Sequence, residues 1–133
     1  MSVTRRCLVD TSAWIETLRT GGDPAMRTRI SALTGNDRVV LCDQVRLELW
    51  NGVRGAADRR LLRSLEQHLE TVPTSAEVWA LARDYARAAR GEGLTVPAAD
   101  LLIAACAEHH GLDLIHHQDV HFDRLASLRS NQA

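Results

Sequence analysis

The stretch Cys7-Leu8-Val9-Asp10-Thr11-Ser12-Ala13-Trp14-Ile15-Glu16 decides how the chain is read. A short apolar run ends on a carboxylate, two hydroxyl residues follow, and a helical pattern begins. The run predicts a buried strand that delivers Asp10 to its C-terminal tip, with Ser12 as the N-cap of the next helix. In open α/β sheets ligands bind outside the carboxyl ends of the strands, so this position suits a functional carboxylate. The stretch alone leaves a second reading open, in which Asp10 is itself an ordinary helix cap.

Working outward, short apolar runs alternate with helical patterns along the whole chain. Arg38 to Cys42 and Leu112 to Ile115 predict two further strands, and Thr71-Val72-Pro73 a short edge strand. Helices are expected at Ala13 to Arg19, Pro24 to Thr34, Asp43 to Val53, Ala57 to Leu69, about Thr74 to Arg90, Ala98 to His110 and Phe122 to Leu128. Asp23-Pro24 opens the second of these with a cap and a proline at the first helical position. Thr74 and Glu77 match a capping box, and Val78, Ala82, Tyr85 and Ala89 form the buried stripe of the long helix that follows. The alternation predicts an α/β fold, a small parallel β-sheet flanked by helices on both faces. At 133 residues this is one domain, residues 1–128, with a polar tail at 129–133.

Composition narrows the functional classes. The hydrophobic fraction of 45% is that of a globular chain, and no apolar run is long enough to span a bilayer. Arg5 and Arg6 precede only three apolar residues, too few for a signal-peptide core, so a cytoplasmic protein without membrane partners is expected. Cys7, Cys42 and Cys106 form no CxxC pair and sit in apolar contexts, which predicts buried thiols rather than a disulfide framework or a zinc ribbon. All 16 basic residues are Arg. The absence of Lys excludes a P-loop and a receiver-type phosphoacceptor domain.

Three more carboxylates stand where a solvated face does not explain them. Glu48 lies among Val45, Leu49 and Val53 at helical spacing. Asp100 is in the first turn of the most apolar helix, and Asp119 follows a strand. In a parallel sheet Asp10 and Asp119 emerge on the same edge. Clustered carboxylates raise one another's pKa, and no Arg lies within three residues of Asp10 or Asp100. A divalent cation is the natural counter-charge, and oxygen-only ligation suits Mg²⁺ with Mn²⁺ as its substitute. Such an ion activates water and shields phosphate oxygens, which is the chemistry of phosphodiester hydrolysis.

Four segments carry a family likeness: Val9-Asp10-Thr11-Ser12-Ala13, Val45-Arg46-Leu47-Glu48-Leu49, Pro97-Ala98-Ala99-Asp100-Leu101-Leu102-Ile103-Ala104 and Gln118-Asp119-Val120-His121-Phe122-Asp123-Arg124-Leu125. In this order the chain resembles the PIN-domain ribonucleases, most closely the VapC-type toxins of toxin–antitoxin pairs. The resemblance implies a three-layer sandwich and a metal-dependent endoribonuclease leaving 5′-phosphate and 3′-hydroxyl ends. It implies that Asp10, Glu48, Asp100 and Asp119 hold the metal and act in catalysis, with Ser12 assisting by hydrogen bonding. It also implies an RNA substrate, structured RNA such as tRNA or rRNA, a cognate antitoxin and a homodimer. The chain departs from the family's pattern at His121, often Asp, and at Gln118, often Thr or Asn. The short tail leaves little room for a final strand seen in many relatives. These departures leave the number of metal ions open.

Two competitors are weighed. A haloacid dehalogenase-type phosphatase needs a second Asp where Ser12 stands, and a Lys. A catalytically silent RNA- or protein-binding module of the same fold does not require four carboxylates to coexist. His116, His117, Asp119 and His121 suggest a zinc site less well, because adjacent residues on a strand point to opposite faces. His121 is read instead as a group near the scissile phosphate or leaving oxygen. Arg83, Arg87 and Arg90, and Arg59, Arg60 and Arg63, are solvated helix faces by default and RNA backbone contacts in the functional reading. Trp14, Trp50 and Trp79 are read as core or interface anchors.

Overall fold

The computed structural model describes residues 5–132, with the backbone alone for residues 129–132. The elements run β1 (Cys7–Val9), α1 (Thr11–Leu18), α2 (Pro24–Gly35), β2 (Val39–Cys42), α3 (Asp43–Asn51), α4 (Ala56–His68), β3 (Thr71–Val72), α5 (Ala76–Gly91), α6 (Ala98–His109), β4 (Asp113–Ile115) and α7 (Val120–Gln132). The sheet is parallel throughout, in the order β3-β2-β1-β4. Leu8 pairs with Val40 on one side and Leu114 on the other, so β1 is central. Its three residues and the four of β2 are all buried. That explains why both read as unbroken apolar runs rather than alternating ones.

The strand order fixes where the helices go. From β1 to β2 to β3 the chain steps one way across the sheet, and it then returns past β1 to β4. With right-handed crossovers, α1 to α4 cover one face and α5 and α6 the other. The core is one apolar cluster extending from Cys7 to Leu125, with Leu8, Val45, Val78 and Ile103 fully enclosed. The stripe expected on the long helix, Val78, Ala82, Tyr85 and Ala89, is its buried face. Cys7, Cys42 and Cys106 are buried free thiols. Among the described residues no helix is long and apolar enough to cross a membrane.

Three local expectations are corrected. Ser75, not Thr74, caps α5, its Oγ accepting from Val78 N at 3.4 Å. The helix starts one residue later than the capping-box pattern placed it, so Glu77 falls in its first turn without bracing Thr74. Asp10, not Ser12, caps α1. Helix α7 runs on to Gln132, through most of the span read as a polar tail, and among the described residues no strand follows β4. Of the tryptophans, Trp14 is core, Trp50 is half-buried with Nε1 donating to Glu66 at 3.0 Å, and Trp79 is exposed. The α1–α2 turn closes tightly. Glu16, almost wholly buried, accepts from Asp23 N at 3.0 Å and pairs with Arg19. A Cβ on Gly22 would lie 2.0 Å from the Glu16 carbonyl oxygen.

Candidate active site

Asp10 leaves β1 at its carboxyl end and is only 4% exposed. Its extended backbone (φ −67°, ψ 157°) makes it the cap, and its Oδ2 accepts from Ser12 N at 3.0 Å. Ser12 is thus the second residue of the helix, where its own N–H is an orphan donor. Its hydroxyl does other work: it donates to Asp10 Oδ2 at 2.6 Å and accepts from His117 N at 3.0 Å. One hydroxyl therefore ties the tip of β1 to the chain leaving β4. Capping and site placement, alternatives in the sequence, are one arrangement here.

Glu48 projects from α3 and is held by Thr11, whose Oγ1 donates to Oε1 at 2.8 Å. Burial pushes its carboxyl up in pKa, the Thr11 hydrogen bond pulls it back, and the charges of Asp10 and Asp119 push it up again. Asp100 lies in the first turn of α6. Burial first, then the charges of Asp119 and Asp10, raise it from 3.8 to about 6, with Glu48 adding to the effect and His121 opposing it. The same influences show that all four carboxylates face one region, at the edge where β1 and β4 end.

Asp119 reaches that region through a sharp turn. Gln118 has φ +54°, a left-handed conformation uncommon outside glycine, and its strain is held beside the site. Asp119 N donates to His116 Nδ1 at 3.2 Å. His121, on the first turn of α7, donates its backbone N–H to Asp119 Oδ1 at 3.0 Å. Its ring nitrogen Nδ1 lies 3.2 Å from that oxygen and 3.2 Å from Asp100 Oδ2. The adjacent His116 and His117 diverge: His116 Nε2 faces Asp123 at 3.4 Å and His117 Nε2 faces Asp23 at 3.2 Å. They converge on no common point, although both lie beyond the end of β4 and not on a strand as the sequence argument had them.

Asp100, Asp119 and His121 bring ligand atoms within 4.8 Å of one another, the tightest ligand group among the described residues. Asp10 and Glu48 stand around this trio rather than in it. The sequence reading placed the four carboxylates at one edge but did not count His121 as a ligand; its spacing two residues after Asp119 was the available signal. The donor set, carboxylate oxygens and one imidazole with raised carboxyl pKa values, fits a divalent cation.

A family model for the PIN domain matches residues 7–128. The chain therefore belongs to the PIN-domain family. Its relatives within that family are VapC proteins: Ribonuclease VapC18 of Mycobacterium tuberculosis is 35% identical over 124 residues, covering 90% of this chain and 87% of that one. Ribonuclease VapC11 of the same organism is 34% identical over 132 residues, 95% and 96% of the two chains. Among solved structures, DNA-bound VapBC from Salmonella typhimurium superposes with a TM-score of 0.78 at 18% identity, covering 92% and 93% of the two chains. VapBC2 from Rickettsia felis, bound to a fragment of its promoter DNA, gives 0.75 at 20% identity, covering 88% and 90%. These two likenesses establish the fold.

Proposed function

We propose that this chain is a metal-dependent endoribonuclease, the toxin of a toxin–antitoxin pair, acting in the cytoplasm. The observation that carries the reading is the convergence of Asp10, Glu48, Asp100 and Asp119 on one sheet edge, with Asp100 held near pKa 6 by burial and then by the charges of its neighbours. Like charges so placed disfavour one another's ionised forms, and a divalent cation relieves that repulsion. Names of relatives support RNA as the substrate: the VapC proteins that match nearly end to end are called ribonucleases.

In this reading Asp10, Glu48, Asp100 and Asp119 hold Mg²⁺ or Mn²⁺. When bound, the ion lowers the pKa of its water and screens the phosphate oxygens that repel a nucleophile. The chain's own residues do the rest. Ser12 fixes Asp10 in one orientation, and Thr11 does the same for Glu48. The strained turn at Gln118 aims Asp119 at the first turn of α6. Hydrolysis then leaves a 5′-phosphate and a 3′-hydroxyl. Exposed Arg83, Arg87 and Arg90 on α5 offer phosphate contacts to a structured RNA such as tRNA or rRNA.

The partner is an antitoxin. An apolar groove of about 210 Å³ between α1, α3 and α4 is lined by Ile15, Leu18, Leu49, Val53 and Leu61, and it opens onto Thr11 and Glu48 of the acidic edge. A segment seated there reaches the carboxylates. Solved neighbours titled as VapBC pairs support such a partner. A homodimer fits the exposed Leu47 and Trp79.

The test is a map of new 5′-phosphate RNA ends after a brief pulse of expression, comparing wild type with Asp10→Asn. Discrete ends with wild type alone are expected. Growth arrest by both proteins without new ends would remove the catalytic reading and leave a binding module.

A further inference from the structure

The imidazole of His121 sits where a ligand belongs, not merely beside ligands. Its Nδ1 is equidistant, at 3.2 Å, from one oxygen of Asp100 and one of Asp119. Neighbouring ligand atoms around a single octahedral ion with bonds slightly over 2 Å lie about 3 Å apart; Nδ1 stands near that spacing from each carboxylate oxygen, and all three ligand atoms lie within 4.8 Å of one another. The three atoms come from two places in the chain, Asp100 from α6 and the bonded pair Asp119 and His121 from the turn that enters α7. Asp100 is set by the helix start. Asp119 Oδ1 accepts the backbone N–H of His121 at 3.0 Å, which holds the ring over the same oxygen. The side chain of His121 is 34% exposed, against 14% for Asp100 and 19% for Asp119, so it is the most open of the three.

We propose that His121 is a metal ligand through Nδ1, and that its nitrogen turns this site toward Mn²⁺ and away from Mg²⁺. The proposal rests on the reading of the acidic edge as a metal site. Mg²⁺ is a hard ion that seeks oxygen and keeps its waters. An imidazole suits transition ions, and Mn²⁺ is the member of that series that also accepts a site dominated by carboxylates. A mixed site of this kind favours Mn²⁺ over Mg²⁺ more strongly than the same site built from oxygen alone.

The experiment compares wild type, His121→Asp and His121→Ala after removal of metal by chelation. MnCl₂ and MgCl₂ are titrated separately, with binding followed by equilibrium dialysis and thermal shift. Pulsed electron paramagnetic resonance of the Mn²⁺ samples reads coupling to a directly bound ¹⁴N. Wild type is expected to show that coupling, and a ratio of Mn²⁺ to Mg²⁺ affinity about tenfold or more above that of His121→Asp, in which oxygen replaces nitrogen. An unchanged ratio, or Mn²⁺ bound without nitrogen coupling, overturns the role of His121 and leaves the carboxylate site intact. Binding of neither ion by wild type overturns both. If His121→Asp fails to fold, the nitrogen coupling in wild type decides alone.

Discussion

Replacing Asp100 by Asn is expected to stabilise the protein when metal is withheld, an unusual outcome for a candidate catalytic position. Asp100 titrates at about 6 in the fold against 3.8 for an ordinary Asp, because burial and then the carboxylates of Asp119 and Asp10 disfavour its ionised form. A folded-state pKa above the unfolded value means that the native state holds the proton more tightly. The penalty of ionising Asp100 is absent below about pH 4 and is complete above about pH 6. A shift of roughly two units corresponds to about 3 kcal/mol. The side chain is only 14% exposed, so solvent screening removes little of this. For a domain of this size 3 kcal/mol corresponds to about 10 °C in Tm. Thermal unfolding in a chelating buffer at pH 8 should therefore show Asp100→Asn melting above wild type by up to that amount. The gap should close as the pH falls toward 4. Adding Mn²⁺ should raise the Tm of wild type and change the variant little, since a ligand bound only to the folded state must stabilise it. A variant that melts below wild type at pH 8, or a gap independent of pH, would refute the charge-crowding account.

Thr11→Val removes the hydrogen bond that restrains Glu48, so the carboxyl should rise further in pKa and the acid limb of the RNA-cleavage profile should move to higher pH, while Thr11→Ser keeps the profile of wild type. Gly22→Ala forces a Cβ against the Glu16 carbonyl and should destabilise the fold by about 3 kcal/mol, read by denaturant unfolding. In the apolar groove, Ile15→Asp or Leu61→Asp should weaken binding of the antitoxin at least about tenfold by calorimetry, with cleavage of RNA by the isolated chain unchanged.

Burial on both faces made the central strands legible: Cys-Leu-Val and Val-Val-Leu-Cys are apolar throughout because no residue of a covered parallel sheet faces water. Even the two-residue β3 was marked by Thr71-Val72-Pro73, where the proline stops the pairing. Caps were misplaced by one or two residues. In Asp10-Thr11-Ser12 and Thr74-Ser75 several side chains are chemically able to cap, and the choice depends on where the backbone turns helical. The four carboxylates were legible as candidates because Asp10, Glu48 and Asp100 interrupt apolar patterns and Asp119 follows a strand. The contact of His121 with Asp100 was not found, because it joins α6 to α7 through the left-handed turn at Gln118, and nothing in a run of sequence announces that turn. Trp79 was read as a core or interface anchor, and the core closed over Val78 and left Trp79 exposed, so only the interface half of that reading stands open.

The bond from His117 N to Ser12 Oγ joins residues 105 positions apart. It makes the setting of Asp10 depend on a late part of the chain. A ribosome that has released the chain only as far as α6 has delivered Asp10, Glu48 and Asp100, but β1 still lacks its neighbour on one side, and the hydroxyl that orients Asp10 has nothing to accept. The site assembles once β4 docks and the turn at Gln118 swings Asp119 and His121 into place. In the proposed function, a nascent chain would thus carry three of the four carboxylates before it carries a finished site.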